Sequence, residues 1–164
     1  KLAIQILKTG NLSGLESLVR KYQHNAIRTS MFITRDLGTA EDIVQSAFLK
    51  AADRIAQFDE NKPFKPWFLR IVVNDSIKLA QSNERYFSYD NLENENDSPF
   101  LSNQSSFSES EGISQDTKQL VRDALFKLST KERAVIVLQY FQEMSEKEIA
   151  ETLNRPVGTV KWQL

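Results

Sequence analysis

No cysteine occurs among the 164 residues, and histidine occurs once, at position 24. The first absence excludes disulfides, thiolate metal sites and cysteine nucleophiles. The second leaves zinc sites and histidine-based triads without their usual donors, and His24 reads as a surface histidine. Glycine is scarce, at 5 residues, and neither a P-loop nor a dinucleotide fingerprint can be assembled from it. The adjacent acids Glu41-Asp42 diverge by about 100° on a helix, and no third ligand converges on them. No run of about 18 apolar residues exists, so no membrane span is expected. Lys1-Leu2-Ala3-Ile4 is too short and too mixed to be a signal peptide. These absences argue against an enzyme: no catalytic residue, metal or cofactor is expected, and the lack of cysteine suits the cytoplasm.

The sequence does carry a distinct pattern of charge. A net charge of −1 conceals three blocks. Residues 1–82 hold 12 bases against 8 acids, a net of +4. Residues 83–116 hold one base (Arg85) against 8 acids, a net of −7, and residues 117–164 hold 8 bases against 6 acids, a net of +2. The middle block also contains 8 Ser and 5 Asn and has no sustained hydrophobic period. Such composition cannot offset the entropy of ordering, so 83–116 reads as a flexible acidic linker. Tyr86, Phe87, Tyr89, Phe100 and Phe107 are the residues there that could dock. As free coil it would span roughly 30 Å, and at most about 110 Å when extended.

Both flanks read as helical, which predicts an all-α fold of two small domains, 1–82 and 117–164. Expected helices cover about Leu2–Lys8, a second after Ser13 with Leu15, Leu18, Val19, Tyr22 and Ala26 on one stripe, and a third opened by Thr39-Ala40-Glu41-Asp42 and running to about Phe58. A fourth follows Pro63 and Pro66, from Trp67 to about Gln81. Leu120, Val121, Ala124, Leu125 and Leu128 mark a fifth. Ser129-Thr130-Lys131-Glu132 and Ser145-Glu146-Lys147-Glu148 are capping boxes for a sixth helix, to about Phe141, and for a seventh ending near Leu153. Pro156 starts the last.

Residues 145–164 therefore form a candidate helix-turn-helix, with Asn154 suited to the left-handed turn. Val157, Val160 and Leu164 are expected to pack on Ile149, Ala150 and Leu153, which would leave Trp162 pointing away from the core. An ordinary αα-hairpin shares this pattern; the residues themselves narrow the choice. Leu128-Ser129 to Tyr140, then Ser145-Glu146-Lys147-Glu148-Ile149-Ala150 and Pro156-Val157-Gly158-Thr159-Val160-Lys161, resemble the C-terminal promoter-reading domain of the extracytoplasmic-function (group IV) sigma factors of bacterial RNA polymerase. Ala40 to Leu49 is similar to their polymerase-docking helix. Phe64-Lys65-Pro66-Trp67-Phe68-Leu69-Arg70-Ile71, with Asn74, resembles their promoter-melting helix. The resemblance spans nearly the whole chain, in order.

It implies an alternative sigma factor that binds core RNA polymerase and promoter DNA, duplex and single-stranded, under the control of an anti-sigma factor. The docking residues would be Asp42, Gln45, Ser46 and Leu49, opposite a buried face of Ala40, Val44, Ala47, Phe48, Ala51 and Ile55. The minus-ten element would be recognised and melted by Asn61, Lys62, Phe64, Lys65, Trp67, Arg70, Asn74 and Lys78. Of these, Arg70, Asn74 and Lys78 share one stripe at i, i+4, i+8, suited to a single strand. Trp67 heads that stripe or belongs to the core. In the preceding loop, Asp59 and Glu60 could accept hydrogen bonds from base amino groups. The minus-thirty-five element would be read by Arg155, Gly158, Thr159, Lys161, Trp162 and Gln163. The sequence departs from the family pattern at Ser46, where an acid is common, in Leu79-Ala80-Gln81-Ser82-Asn83-Glu84, which lacks a basic run, and at Trp162-Gln163. The family's recognition helix continues past the position of Leu164, so a truncated C-terminus is expected. The acidic linker would thread channels built for RNA, with Glu93, Glu95, Asp97, Glu109 and Glu111 imitating phosphates. By the same resemblance the protein would be cytoplasmic, held at the membrane only through an anti-sigma factor. A stand-alone helix-turn-helix regulator leaves the docking patch unused, and a helical adaptor without nucleic acid leaves the Arg70-Asn74-Lys78 stripe unexplained.

Overall fold

The computed structural model describes residues 1–90 and 114–164, with side chains 86–90 outside the description. Among the described residues every regular element is helical: α1 (Leu2–Lys8), α2 (Ser13–Thr34), α3 (Leu37–Asp53), α4 (Phe64–Asp90), α5 (Gln115–Lys127), α6 (Thr130–Ile136), α7 (Glu146–Leu153) and α8 (Val157–Gln163). None is long and apolar enough to cross a membrane.

α1 lies against the start of α2, where Gly14 is needed: a Cβ there would sit 2.3 Å from the Ala3 carbonyl and 2.6 Å from the Leu7 amide. α3 differs from expectation at both ends. Its N-cap is Asp36, whose carboxylate accepts from the Thr39 amide at 2.7 Å, so Thr39 lies inside the first turn. It stops at Asp53 instead of Phe58, and a tighter 3₁₀ turn (Ile55–Gln57) brings Ile55 and Phe58 into the core.

α4 departs furthest. It starts at Phe64, because a first turn tolerates Pro66, and runs to Asp90, eight residues past Ser82 into the segment read as linker. Tertiary contact supports the extension: the Glu84 carboxylate accepts from the Thr130 hydroxyl and lies 3.8 Å from the Arg133 guanidinium. At the other border, α5 takes up Gln115 and Asp116 behind its N-cap Ser114. The acidic positions Glu93, Glu95, Asp97, Glu109 and Glu111, together with Phe100 and Phe107, lie outside the described residues, as do the side chains of Tyr86, Phe87 and Tyr89.

Both capping boxes form. The Ser129 and Ser145 hydroxyls accept from the Glu132 and Glu148 amides, and those carboxylates accept from the serine amides at 3.0 and 2.8 Å. After Ile136 the sixth helix reaches Phe141 as expected but widens to π-helical winding over Val137–Phe141. Of the expected α5 stripe, Leu125 is buried while Leu120 and Val121 are exposed, because only the C-terminal half of α5 meets the bundle.

One core lies between α1, α2, α3 and α4, centred on Phe48, Phe58, Phe64 and Phe68. The other two clusters join both halves of the chain. Ile33, Val73 and Ile77 pack with Val135, Leu138, Ile149, Leu153 and Val160, and Met31, Phe32 and Ala40 pack with Leu125 and Val137. The buried side chains of the second half thus belong to clusters shared with the first. Some 50 residues of short helices cannot bury their apolar faces alone, and α6 and α7 do so on α2 and α4.

Candidate nucleic-acid interface

The candidate minus-ten surface begins at the loop 58–63. Lys8 pins it: its ammonium donates to the Phe58 carbonyl at 2.9 Å and pairs with Glu60 at 2.9 Å. The Lys8 hydrogen bond holds the Glu60 carboxyl below its usual range. Asp59 accepts from the Asn61 amide and side chain at 3.0 and 3.1 Å, a turn closed on itself. The two acids expected to meet base amino groups are therefore already engaged within the protein. Asn61 and Lys62 are exposed.

Phe64 does not face the loop surface. It is buried, with ring centroids 5.3 Å from Tyr22, 5.7 Å from Phe58 and 5.5 Å from Trp67. Trp67 is half-buried against Phe58 at 4.9 Å, so it is at once the edge of the core and the head of the surface stripe. Beneath the stripe, Phe68, Leu69, Val72 and Val73 are buried, while Arg70, Asn74 and Lys78 emerge on the opposite side. The geometry read from helical spacing is thus present: two cations and an amide in line on a rigid support. Two of the predicted residues have partners across the molecule. The Asn74 amide donates to the Thr152 carbonyl at 3.3 Å, and the Lys65 ammonium reaches the Gln142 carbonyl at 3.4 Å.

All six residues of the predicted inner face are buried, five on α3 and Ile55 in the 3₁₀ turn that follows it, and Ile43 joins them. Asp42, Gln45 and Leu49 are exposed and Ser46 half-buried, with Leu49 at 60% exposure. A Lys50–Asp75 pair at 2.7 Å fastens α3 to α4 beside this patch. Neither Lys8 nor Asp75 was legible as a site residue, since each acts on a partner far along the chain.

α7 and α8 meet through Asn154, whose φ of 51° and ψ of 54° place it in the left-handed region. Val160 alone is buried in α8; Val157 and Leu164, expected beside it, remain 38% and 43% exposed. α8 has 7 residues, and Val160 is the one that enters the shared cluster with Val135, Leu138, Ile149 and Leu153. Gly158, Thr159 and Trp162 face outward, Trp162 at 83% exposure, and a Cβ on Gly158 would meet nothing within 4 Å. Lys161 pairs with Glu146 at 3.6 Å, and Arg155 donates to the Gln163 side chain at 3.3 Å. The exposed ion pair carries small energetic weight. Among the described residues no group of three or more potential metal ligands converges.

Two family models match this all-α chain. Residues 18–86 match "Sigma-70 region 2" and residues 118–164 match "Sigma-70, region 4". The ECF RNA polymerase sigma factor SigW of Bacillus subtilis is 30% identical over 168 residues, covering 100% of this chain and 90% of the relative. The ECF RNA polymerase sigma-E factor of Escherichia coli is 30% identical over 166 residues, covering 98% and 86%. The chain belongs to the ECF sigma factors of RNA polymerase, and it directs promoter-specific transcription as an alternative sigma factor. Solved structures share the fold. The sigma factor RpoE of Bartonella quintana, in complex with the anti-sigma factor NepR, superposes with a TM-score of 0.70 at 18% identity, covering 91% of this chain and 88% of that one. CnrH, in complex with the cytosolic domain of CnrY, gives 0.67 at 22%, covering 99% and 88%.

Proposed function

We propose that promoter recognition is divided between the two halves of the chain. The α4 stripe with the 58–63 loop takes the melted minus-ten strand, α8 reads the minus-thirty-five element in the major groove, and Asp42, Gln45, Ser46 and Leu49 on α3 dock on core polymerase. The observation that carries this reading is the contrast along α4, where Arg70, Asn74 and Lys78 are exposed on a helix whose inner face is buried. Cations pair with phosphates while an aromatic edge such as Trp67 stacks a base, and sequence tolerance in the backbone contacts suits a strand being opened. On α8, Trp162 and Thr159 can meet base edges or thymine methyls, and Arg155 at the helix entrance positions the domain on phosphate. The protein performs no covalent chemistry in this reading. It works in the cytoplasm, and an anti-sigma factor, as in the complexes of its structural neighbours, restrains it there or at the membrane.

The test is run-off transcription by polymerase carrying Arg70→Ala with Lys78→Ala. On a fully duplex promoter the loss should be about 1–3 kcal/mol, roughly 5- to 150-fold. On a template already unpaired at the minus-ten element, activity should largely return. An equal loss on both templates removes the melting role from the stripe.

A further inference from the structure

The 58–63 loop is held in shape by α1, a helix far earlier in the chain. Ile4 and Leu7 of α1 are buried in the cluster that also holds Ile55, Phe58 and Phe64, and the bare backbone of Gly14 lets α1 sit directly on α2. The helix is thus a fixed mount, and Lys8 stands at its end, beside Leu7. Its ammonium meets two oxygens of the loop, the Phe58 carbonyl and Glu60 Oε1, each at 2.9 Å. A second α1 side chain, Gln5, also hydrogen-bonds Glu60. The Lys8 bond above all keeps that carboxyl below the usual carboxylate range, and so ionised at neutral pH. Farther along, the Asp59 carboxylate accepts from Asn61, and the Asp59 carbonyl accepts from the Lys62 amide at 3.0 Å. Asn61 and Lys62 are left exposed at the tip.

The loop itself contains two acids, Asp59 and Glu60, and a single base, Lys62; Lys8 supplies the balancing charge from outside. A free carboxylate beside a nucleic-acid strand repels phosphate and accepts hydrogen bonds from base amino groups. Glu60 does neither while Lys8 and Gln5 occupy it. A base amino group is a neutral donor, whereas the Lys8 ammonium adds a full opposite charge to its bond. Lys8 is also ordered in advance, by its second bond to Phe58 and by the seating of α1. A pair between two free surface side chains has no such support and contributes little.

We propose that Lys8 is a specificity-determining positioning residue: it withholds Glu60 from the melted minus-ten strand, so that the exposed Asn61 and Lys62 meet the base that reaches this loop. α1 then takes part in promoter choice without touching DNA. Removing the ammonium frees an acceptor, which favours adenine, cytosine or guanine, each with an exocyclic amino group, over thymine, which has none. The inference rests on the minus-ten role proposed above for the 58–63 loop, and its test separates the two.

Run-off transcription with core polymerase, on a promoter library randomised across the minus-ten element, reads base preference position by position. In Lys8→Met, which keeps the aliphatic stem, use of amino-bearing bases relative to thymine should rise about tenfold at one position and stay unchanged at the others. Lys8→Arg should keep the wild-type profile. Glu60→Ala should keep it as well, because a withheld carboxylate reads nothing. In Lys8→Met with Glu60→Ala the rise should vanish. A profile unmoved by Lys8→Met overturns the proposal, and so does an equal loss on every promoter, which is all that a purely structural role predicts. A rise that survives Glu60→Ala, or a profile altered by Glu60→Ala alone, overturns it too. That last variant decides the matter even if circular dichroism shows Lys8→Met to be unfolded. Asn61→Ala with Lys62→Ala checks the underlying reading. If it shifts the profile while Lys8→Met does not, the minus-ten role of the loop stands and only the role of Lys8 fails. If it leaves every minus-ten position unchanged, the loop does not meet that element and both fail.

Discussion

The two helices proposed to meet DNA, α4 and α8, are supported in different ways. α4 rests on an aromatic bed, with Phe68 stacked 4.3 Å from Phe48 and 5.7 Å from Phe64, and its exposed stripe is backed by buried side chains. α8 is held by Val160 and by the turn at Asn154, and presents an almost bare outer face. A surface that must hold a displaced strand against restacking needs a stiff platform. A helix that enters an existing groove can borrow rigidity from the duplex. Changes under α4 should therefore appear as lost stability, and changes on α8 as altered sequence preference with stability intact.

The largest expected effect tests the first half of that contrast. Phe68→Ala should lower unfolding stability by about 3–5 kcal/mol, read from urea denaturation, whereas Val160→Ala should cost about 2. Equal losses would mean that α8 is anchored as firmly as α4. Next comes Trp162→Ala, expected to weaken promoter binding by on the order of 1–3 kcal/mol and to flatten discrimination among minus-thirty-five variants, with melting unchanged. Arg155→Ala should instead weaken every variant alike and reduce the salt slope by about one; an equal loss for every variant with Trp162→Ala takes base reading away from that ring. Gln45→Ala with Leu49→Ala should weaken core polymerase binding by about 1–2 kcal/mol without touching stability, since both side chains lie opposite the buried face. Unaltered affinity places docking elsewhere.

The smallest effect concerns the caps. Hydrogen bonds from Ser145 hold the Glu148 carboxyl below its usual 4.5, as those from Ser129 do for Glu132. A carboxyl lowered on folding contributes stability that is complete above the unfolded value and is lost as pH falls through the folded one. Ser145→Ala should cost about 1 kcal/mol at neutral pH, and the gap between variant and wild type should narrow in melts as acid protonates Glu148. A gap that stays constant down to about pH 3 would show that the reciprocal bond contributes nothing.

Local chemistry explains what could be read in advance. Both serine capping boxes, the left-handed Asn154, the inner face of α3 and the outward Trp162 depend on residues within one or two turns of each other, and spacing reveals them. Features fixed by distant partners were not legible. The 83–90 stretch looks like linker by composition, yet Glu84 meets Thr130 and Arg133 some 46 to 49 positions away, and the helix continues. Phe64 has the sequence context of a loop-edge aromatic, but packing of Tyr22 and Phe58 around it places it inside. Arg133 and Ile33 lie 100 residues apart and leave no periodic trace. The start of α3 went unread for a local reason: Asp36 competes with Thr39 as a cap, and the carboxylate takes the amide.

The two tryptophans sit in different environments, Trp67 half-buried and Trp162 exposed. Trp67 is wedged between Phe58 and Phe64 at the edge of the aromatic core, and Trp162 stands almost wholly in water on the last helix. Their intrinsic emission therefore comes in two colours, a blue-shifted component from the first half of the chain and a red-shifted, readily quenched one from the second. An unlabelled sample carries its own pair of optical reporters: iodide or a duplex should silence the red component alone, and a single strand laid along α4 should dim the blue one.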